Sequence, residues 1–279
     1  MAVSSPTVAE DAASGTVTIT QGAAETHYKI TAITGGTLYS DAGLTTQVTD
    51  GTFIGAAGAT TPLYFVPTGN RNGTTGGNAS FVAQAASAAN DVSLIGSQVT
   101  STITLSPVAD TPQLADITVV EDTDSGAITI TRSANDGAET THYKITGITG
   151  GTLYSDSNYT TQISDGGFIT SAGATTNVYF RPTANRNSTT GGNGSFTVQA
   201  SRSGDDTGLG GSTAASTVTL TAVADTPGVT SANTIPGQQT TDGLALSRSG
   251  DDGAEVTHFK ISNIQNGTLY RNDGSTQIN

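Results

Sequence analysis

The chain has 279 residues, 12% of them charged, a formal net charge of −13, 35 Gly, and no Cys or Trp. Its lysines are Lys29, Lys144 and Lys260 alone, so it lacks the clustered positive charge that nucleic acid and anionic membrane surfaces demand. No disulfide staples it, no stretch reaches the ~18–20 apolar residues of a membrane span, and a 34% apolar fraction with recurring Tyr and Phe suffices for small cores rather than disorder.

The chain opens on "MAVSSPTVAED", which has neither the basic start nor the apolar core of a signal peptide. The expectation is export through a signal elsewhere, or a piece of a longer protein. The next stretch, "THYKITAITGGTLYSD" at 26–41, returns at 141–156 as "THYKITGITGGTLYSD" and at 257–273 as "THFKISNIQNGTLYRND". His27, His142 and His258 set the period at 115 and then 116 (142 − 27 and 258 − 142). "YFVPTGNRNGTTGGNASFVAQA" at 64–85 returns at 179–200, and "VADTP" closes a copy at 108–112 and again at 223–227. The repeats therefore divide the chain into 1–110, 111–225 and 226–279. The third copy stops at "STQIN" and holds about half the strands of the others, which leaves strand edges and an apolar face exposed. It is expected to be a fragment, or to be completed by strands of a neighbouring chain.

Within copy two, "AITIT" (127–131), "HYKITGI" (142–148), "GTLY" (151–154), "NVYFRP" (177–182), "GSFTVQA" (194–200) and "STVTLT" (216–221) alternate with period two between Gly, Asn, Asp and Pro breaks. Tyr143, Ile145 and Gly147 are assigned to one face of their strand. About seven short strands in ~100 residues without helical periodicity predict an all-β chain of tandem immunoglobulin-like β-sandwiches, end to end, with the third incomplete.

The pattern "HYKITGITGGTLY", "FRPTANRN", "GSFTVQA" and "VADTP" resembles the cadherin-like tandem repeats of very large bacterial surface and secreted proteins. The resemblance spans copies one and two and the front half of copy three. It implies an extracellular, cell-surface stalk or adhesin segment whose joints are stiffened by calcium. Calcium takes roughly 6–8 hard oxygen ligands. In cadherin-like joints these come from an acidic pair near the first strand, a linker Asp, and an Asx pair in an early turn of the next domain. Carried onto this chain, the first joint would use Glu10, Asp11, Asp110, Asn135 and Asp136. The second would use Glu121, Asp122, Asp225, Asp251 and Asp252. Copy one lacks a counterpart of "SAND" (133–136), and copy three reads "PGQQ" (236–239) where the acidic pair stands elsewhere. Acids are thus missing where no joint within the chain is served. Taken singly, each Asp is an ordinary turn residue; taken as sets, they point to calcium. The linker "VADTP" carries fewer acids than cadherin linkers usually do.

Other residues invite chemistry without supporting it. The three His fall in three different copies, out of mutual reach for catalysis or zinc. "NRN" followed by "TTGGN" lacks the Lys-Ser/Thr and the helix of a phosphate loop, and Arg71 and Arg186 are expected to pair with loop carbonyls or nearby carboxylates. Asn90-Asp91 and Asp205-Asp206 read as solvated loop tips. No nucleophile elbow or nucleotide fingerprint is present, so no enzyme activity is expected. The leading reading is a structural, adhesive repeat segment that extends and presents, for an unidentified surface or matrix ligand. Its rivals are a self-assembling filament whose third domain is completed by another copy of the chain, and an accessory polysaccharide-binding module.

Overall fold

The computed structural model describes residues 1–22, 25–240 and 243–279. Copy one contributes β1 (Ala2–Val3), β2 (Thr7–Ala9), β3 (Gly15–Thr20), β4 (His27–Thr34), β5 (Gly36–Tyr39), β6 (Gln47–Val48), β7 (Phe53–Gly55), β8 (Thr60–Pro67), β9 (Ala79–Ala86) and β10 (Leu94–Ser106). They form two five-stranded sheets, β1-β3-β8-β5-β6 and β2-β10-β9-β4-β7. Copy two repeats the plan with β11 (Ile117–Val120), β12 (Ile128–Thr131), β13 (His142–Thr149), β14 (Gly151–Tyr154), β15 (Gln162–Ile163), β16 (Phe168–Thr170), β17 (Thr175–Pro182), β18 (Gly194–Ser201) and β19 (Ala214–Thr221). Its sheets run β12-β17-β14-β15 and β11-β19-β18-β13-β16.

In copy one, with β1 and β2 sharing the role of first strand, the principal strands follow the A-B-E-D and G-F-C order of the immunoglobulin sandwich. The first strand switches sheets and runs parallel to the last: β2 on β10, and β11 on β19. The chain is thus all-β, with two complete sandwiches in tandem.

Alternation is what closes each sandwich. Tyr143 and Ile145 on β13, Phe196 and Val198 on β18, Val178 and Phe180 on β17, and Val218 and Leu220 on β19 are all fully buried in one cluster. Tyr28, Ile30, Leu38, Leu63, Phe65 and Phe81 build the corresponding cluster in copy one. One predicted alternation stops short. Gly147 is exposed rather than facing the core with Tyr143 and Ile145, because the register with β18 shifts between Thr146 and Thr149 and Gly147 takes φ +66°. The Gly-Gly pair that follows has a steric cause. Gly150 sits at φ +75°, and a Cβ on Gly151 would lie 2.3 Å from the Arg181 carbonyl oxygen and 2.5 Å from Phe180 Cζ.

Copy three has only β20 (Gly228–Val229) paired with β21 (Leu246–Ser247), and β22 (Leu269–Tyr270) paired with β23 (Gln277–Ile278), among its described residues. Leu244, Leu246 and Phe259 stand where copy two has Ile128, Ile130 and Tyr143, yet they are 46%, 41% and 39% exposed while their counterparts are buried. Among the described residues, copy three has no sheet packed over them.

Candidate cation joints between the repeats

The end of copy one is organised by a buried carboxylate. Glu10 directly follows β2 and is 2% exposed; its Oε1 accepts the Val108 N–H at 2.7 Å and its Oε2 accepts Asn72 Nδ2 at 2.9 Å. Asn72, fully buried, also accepts from the Thr74 and Thr75 N–H groups and the Thr74 hydroxyl through Oδ1, which folds the "NRN" loop under the sandwich. Asp11 accepts the Asn70 N–H at 3.2 Å. Copy two repeats the arrangement in Glu121, Val223, Asn187, Asp122 and Asn185, with Asn187 Nδ2 reaching both Glu121 oxygens.

The linker then docks onto the next copy. Asp110 N–H donates to Asp136 Oδ1 at 2.9 Å, and Asp136 Oδ2 accepts the Thr140 hydroxyl. Asp225 N–H donates to Asp252 Oδ1 at 2.8 Å in the second joint. Glu139 binds the Gly137 N–H through Oε1 at 2.7 Å, and that oxygen also lies 3.5 Å from Asn72 Nδ2, so it touches both copies. Glu255 bonds Gly253 N–H in the same way.

The acids of the first joint act on one another electrostatically. Loss of water, followed by the charges of Asp136, Asp11, Glu10 and Glu139, pushes the Asp110 carboxyl up to about 6. Burial raises Asp136 as well, opposed by its own hydrogen bonds and by Arg132. Asp225 is raised by desolvation and by Asp252, Asp122, Asp251 and Glu121. Glu10, Asp11 and Asp136 thus lie within electrostatic reach of Asp110, and Glu121, Asp122, Asp251 and Asp252 within reach of Asp225. Asn135 stands apart: it is exposed, and its backbone N–H turns to Ser133 Oγ.

Glu139 and Glu255 were not singled out in the sequence. Their signal is the recurrence of "DGAE" at 136–139 and 252–255. Each leaves one buried oxygen, Oε2, without a hydrogen-bond partner, and the nearby hydroxyls of Thr75 and Thr190 are likewise unpartnered. Buried carboxylate oxygens of this kind suit a hard cation in donor chemistry. In shape the joints are not a finished shell: among the described residues no three His, Asp or Glu side chains converge as a metal-holding group.

Elsewhere the tempting residues have structural partners. His27, His142 and His258 each share a hydrogen with the preceding Thr hydroxyl. Lys29 and Lys144 bind Asp91 and Asp206 at 2.5 and 2.6 Å, tying down both loop tips. Arg186 Nε donates to the Gly192 carbonyl at 3.1 Å. No helix among the described residues is long and apolar enough to cross a membrane.

No protein-family model and no curated protein matches the chain. Among solved structures, the titin domains Z1Z2 in complex with telethonin match at 12% identity and TM-score 0.26, covering 80% of this chain and 94% of that one. Human CDH23 EC21-23 matches at 15% identity and TM-score 0.39, covering 88% and 83%. At these values the likenesses bear on no functional point, and the sandwich assignment rests on the strand order.

Proposed function

We propose that the chain is a structural, adhesive repeat segment of a bacterial extracellular surface protein, which extends and presents other parts, and that calcium stiffens its joints. The observation that carries this reading is the pair of buried, unpartnered oxygens, Glu139 Oε2 and Glu255 Oε2, at equivalent places in two equivalent joints. Glu10, Asp11, Asp110, Asp136 and Glu139 would hold the ion at the first joint. Glu121, Asp122, Asp225, Asp251, Asp252 and Glu255 would hold it at the second. Calcium supplies positive charge and demands oxygen ligands, which is what these acids lack and offer.

Without it, the acids around Asp110 repel one another, and the joint is held by the Asp110–Asp136 and Asn72–Glu139 contacts. An ion that binds only the ordered joint stabilises it by ~2.7 kcal/mol at a hundredfold excess over Kd. A thermal melt with millimolar calcium and with excess chelator tests this. A large upward shift with calcium, lost in Asp110→Ala/Asp225→Ala, supports the reading; superimposable melts end it.

The exposure of Leu244, Leu246 and Phe259 favours a second reading, a filament in which a neighbouring chain completes copy three. Light scattering across a dilution series separates the two. A concentration-independent monomer fits the stalk, and growing polymers fit the filament.

A further inference from the structure

The repeat makes its own control: the two copies share one fold, and on one exposed face copy two differs from copy one in a cluster of side chains. Leu44 becomes Tyr159, Pro62 becomes Asn177, Val66 becomes Arg181 and Ala13 becomes Asp124, while the buried pairs beneath them, Leu38 and Leu153 or Phe65 and Phe180, stay the same. All four new side chains lie on or beside the outer face of the sheet that contains β14 and β17.

They assemble into a rigid aromatic platform. Tyr159 meets Tyr154 edge to face at 5.4 Å between ring centroids, and Tyr179 at 5.9 Å. The Arg181 guanidinium covers Tyr159 at 4.8 Å and Tyr154 at 5.4 Å, and Asp124 grips it at 2.7 and 2.8 Å. The Tyr159 hydroxyl donates to the Ser125 carbonyl. All three tyrosines are partly buried, each with some of its ring left to solvent. Tyr179 also lines a groove of ≈ 920 Å³ together with Gln162, Asn177, Asp156 and Phe168, at the open edge between β15 and β16.

Platform and groove share one ligand chemistry. The volume suits a ligand site, for which roughly 300–1,000 Å³ is usual. The negative face of the Tyr179 ring, which lines the groove, attracts the C–H face of a sugar, and the carboxamides of Asn177 and Gln162 donate to and accept from hydroxyls. The platform's cation is already paired with Asp124, the groove contains the carboxylate of Asp156, and the chain carries −13, so an acidic polymer is repelled. We infer that this face of copy two binds a neutral polysaccharide, with a sugar ring resting on Tyr179 beside the Arg181-covered edge of Tyr154 and Tyr159, and Asn177 and Gln162 bonding its hydroxyls. The inference does not rest on cation-filled joints.

Affinity electrophoresis of the full chain through gels containing laminarin, galactomannan or dextran tests it. Retardation by at least one of them is expected. The triple variant Tyr159→Leu/Asn177→Pro/Arg181→Val carries only residues that copy one already accommodates, so it should melt as the parent does and migrate without retardation. Gln162→Ala, an exposed change on the groove wall, should weaken retardation on its own. No retardation by any of the three polymers overturns the inference, as does full retardation of a folded triple variant. If the triple substitution instead alters the mass in solution, the face is a contact between copies of the chain, and the polysaccharide site is likewise overturned.

Discussion

Asp110 and Asp136 meet across the first joint through a backbone N–H and a carboxylate 2.9 Å apart, and Asp225 and Asp252 repeat the contact at 2.8 Å. The bond uses the amide of each linker Asp and leaves its carboxyl facing other carboxylates. The linker thus has a fixed path and an uncompensated charge together. Removing the charge while keeping the path separates the two.

Asp110→Asn does this. The folded carboxyl sits at about 6, above its ordinary 3.8. The native state therefore holds a proton that the unfolded chain releases, and this group's contribution is greatest below the unfolded value and is lost as pH rises through about 6. In chelator, Asp110→Asn should raise the melting temperature near neutral pH and flatten its dependence between those two values. In calcium it should reduce the gain. A variant that melts like the parent at every pH would show that the carboxyl is not crowded.

Asn187 tests the scaffold beneath the second joint. Its Nδ2 binds Glu121 and its Oδ1 takes three donors from Thr189 and Thr190, all in a fully buried position. Asn187→Ala leaves the buried Glu121 Oε2 without its donor and loosens the loop at once. The expected cost is about 2–4 kcal/mol in urea unfolding. Asn72→Ala should cost about the same in copy one. A cost below about 0.5 kcal/mol in both would mean that the loop is held by its backbone alone.

Arg181→Val should barely matter to stability. The Arg181–Asp124 pair is largely exposed, and pairs of this kind contribute roughly 0–1 kcal/mol. Copy one has Val66 in the same ladder position, paired with Thr37 as Arg181 is with Thr152. Chemical denaturation at low and high salt is the check. A loss well beyond about 1 kcal/mol would make the Arg–Tyr cluster a structural element and weaken its reading as a surface kept for a ligand.

The strands were legible because each repeats an alternation with a clear break after it. "HYKIT" and "GSFTVQA" became β13 and β18 with their apolar residues in the core. Less was legible where pairing, not pattern, decides: β15 and β16 are two and three residues long, and they exist because β14 and β13 offer them an edge. At the joints, the acidic pairs are visible in the sequence, while Glu139 looks like any surface Glu until the fold lays it against Asn72 of the preceding copy. The tyrosine platform is hidden in the sequence for a similar reason. Tyr154 recurs with Tyr39 and so reads as core, and only the register, which sets Tyr154 beside Tyr179 on the outer face, shows otherwise.

Copy three gives the sharpest test of what a core needs. Leu246 and Ile130 occupy equivalent positions, but Ile130 is fully buried in the copy-two core on a strand paired with β17, whereas Leu246 pairs, among the described residues, with β20 alone and stays 41% exposed. Ile130→Ala should therefore cost about 2–5 kcal/mol, the range for a truncated core side chain, and Leu246→Ala no more than about 0.5 kcal/mol. Unfolding curves of the two variants decide the matter. If Leu246→Ala proves nearly as costly as Ile130→Ala, something covers that face in solution. A cost that grows with protein concentration would identify the cover as another copy of the chain.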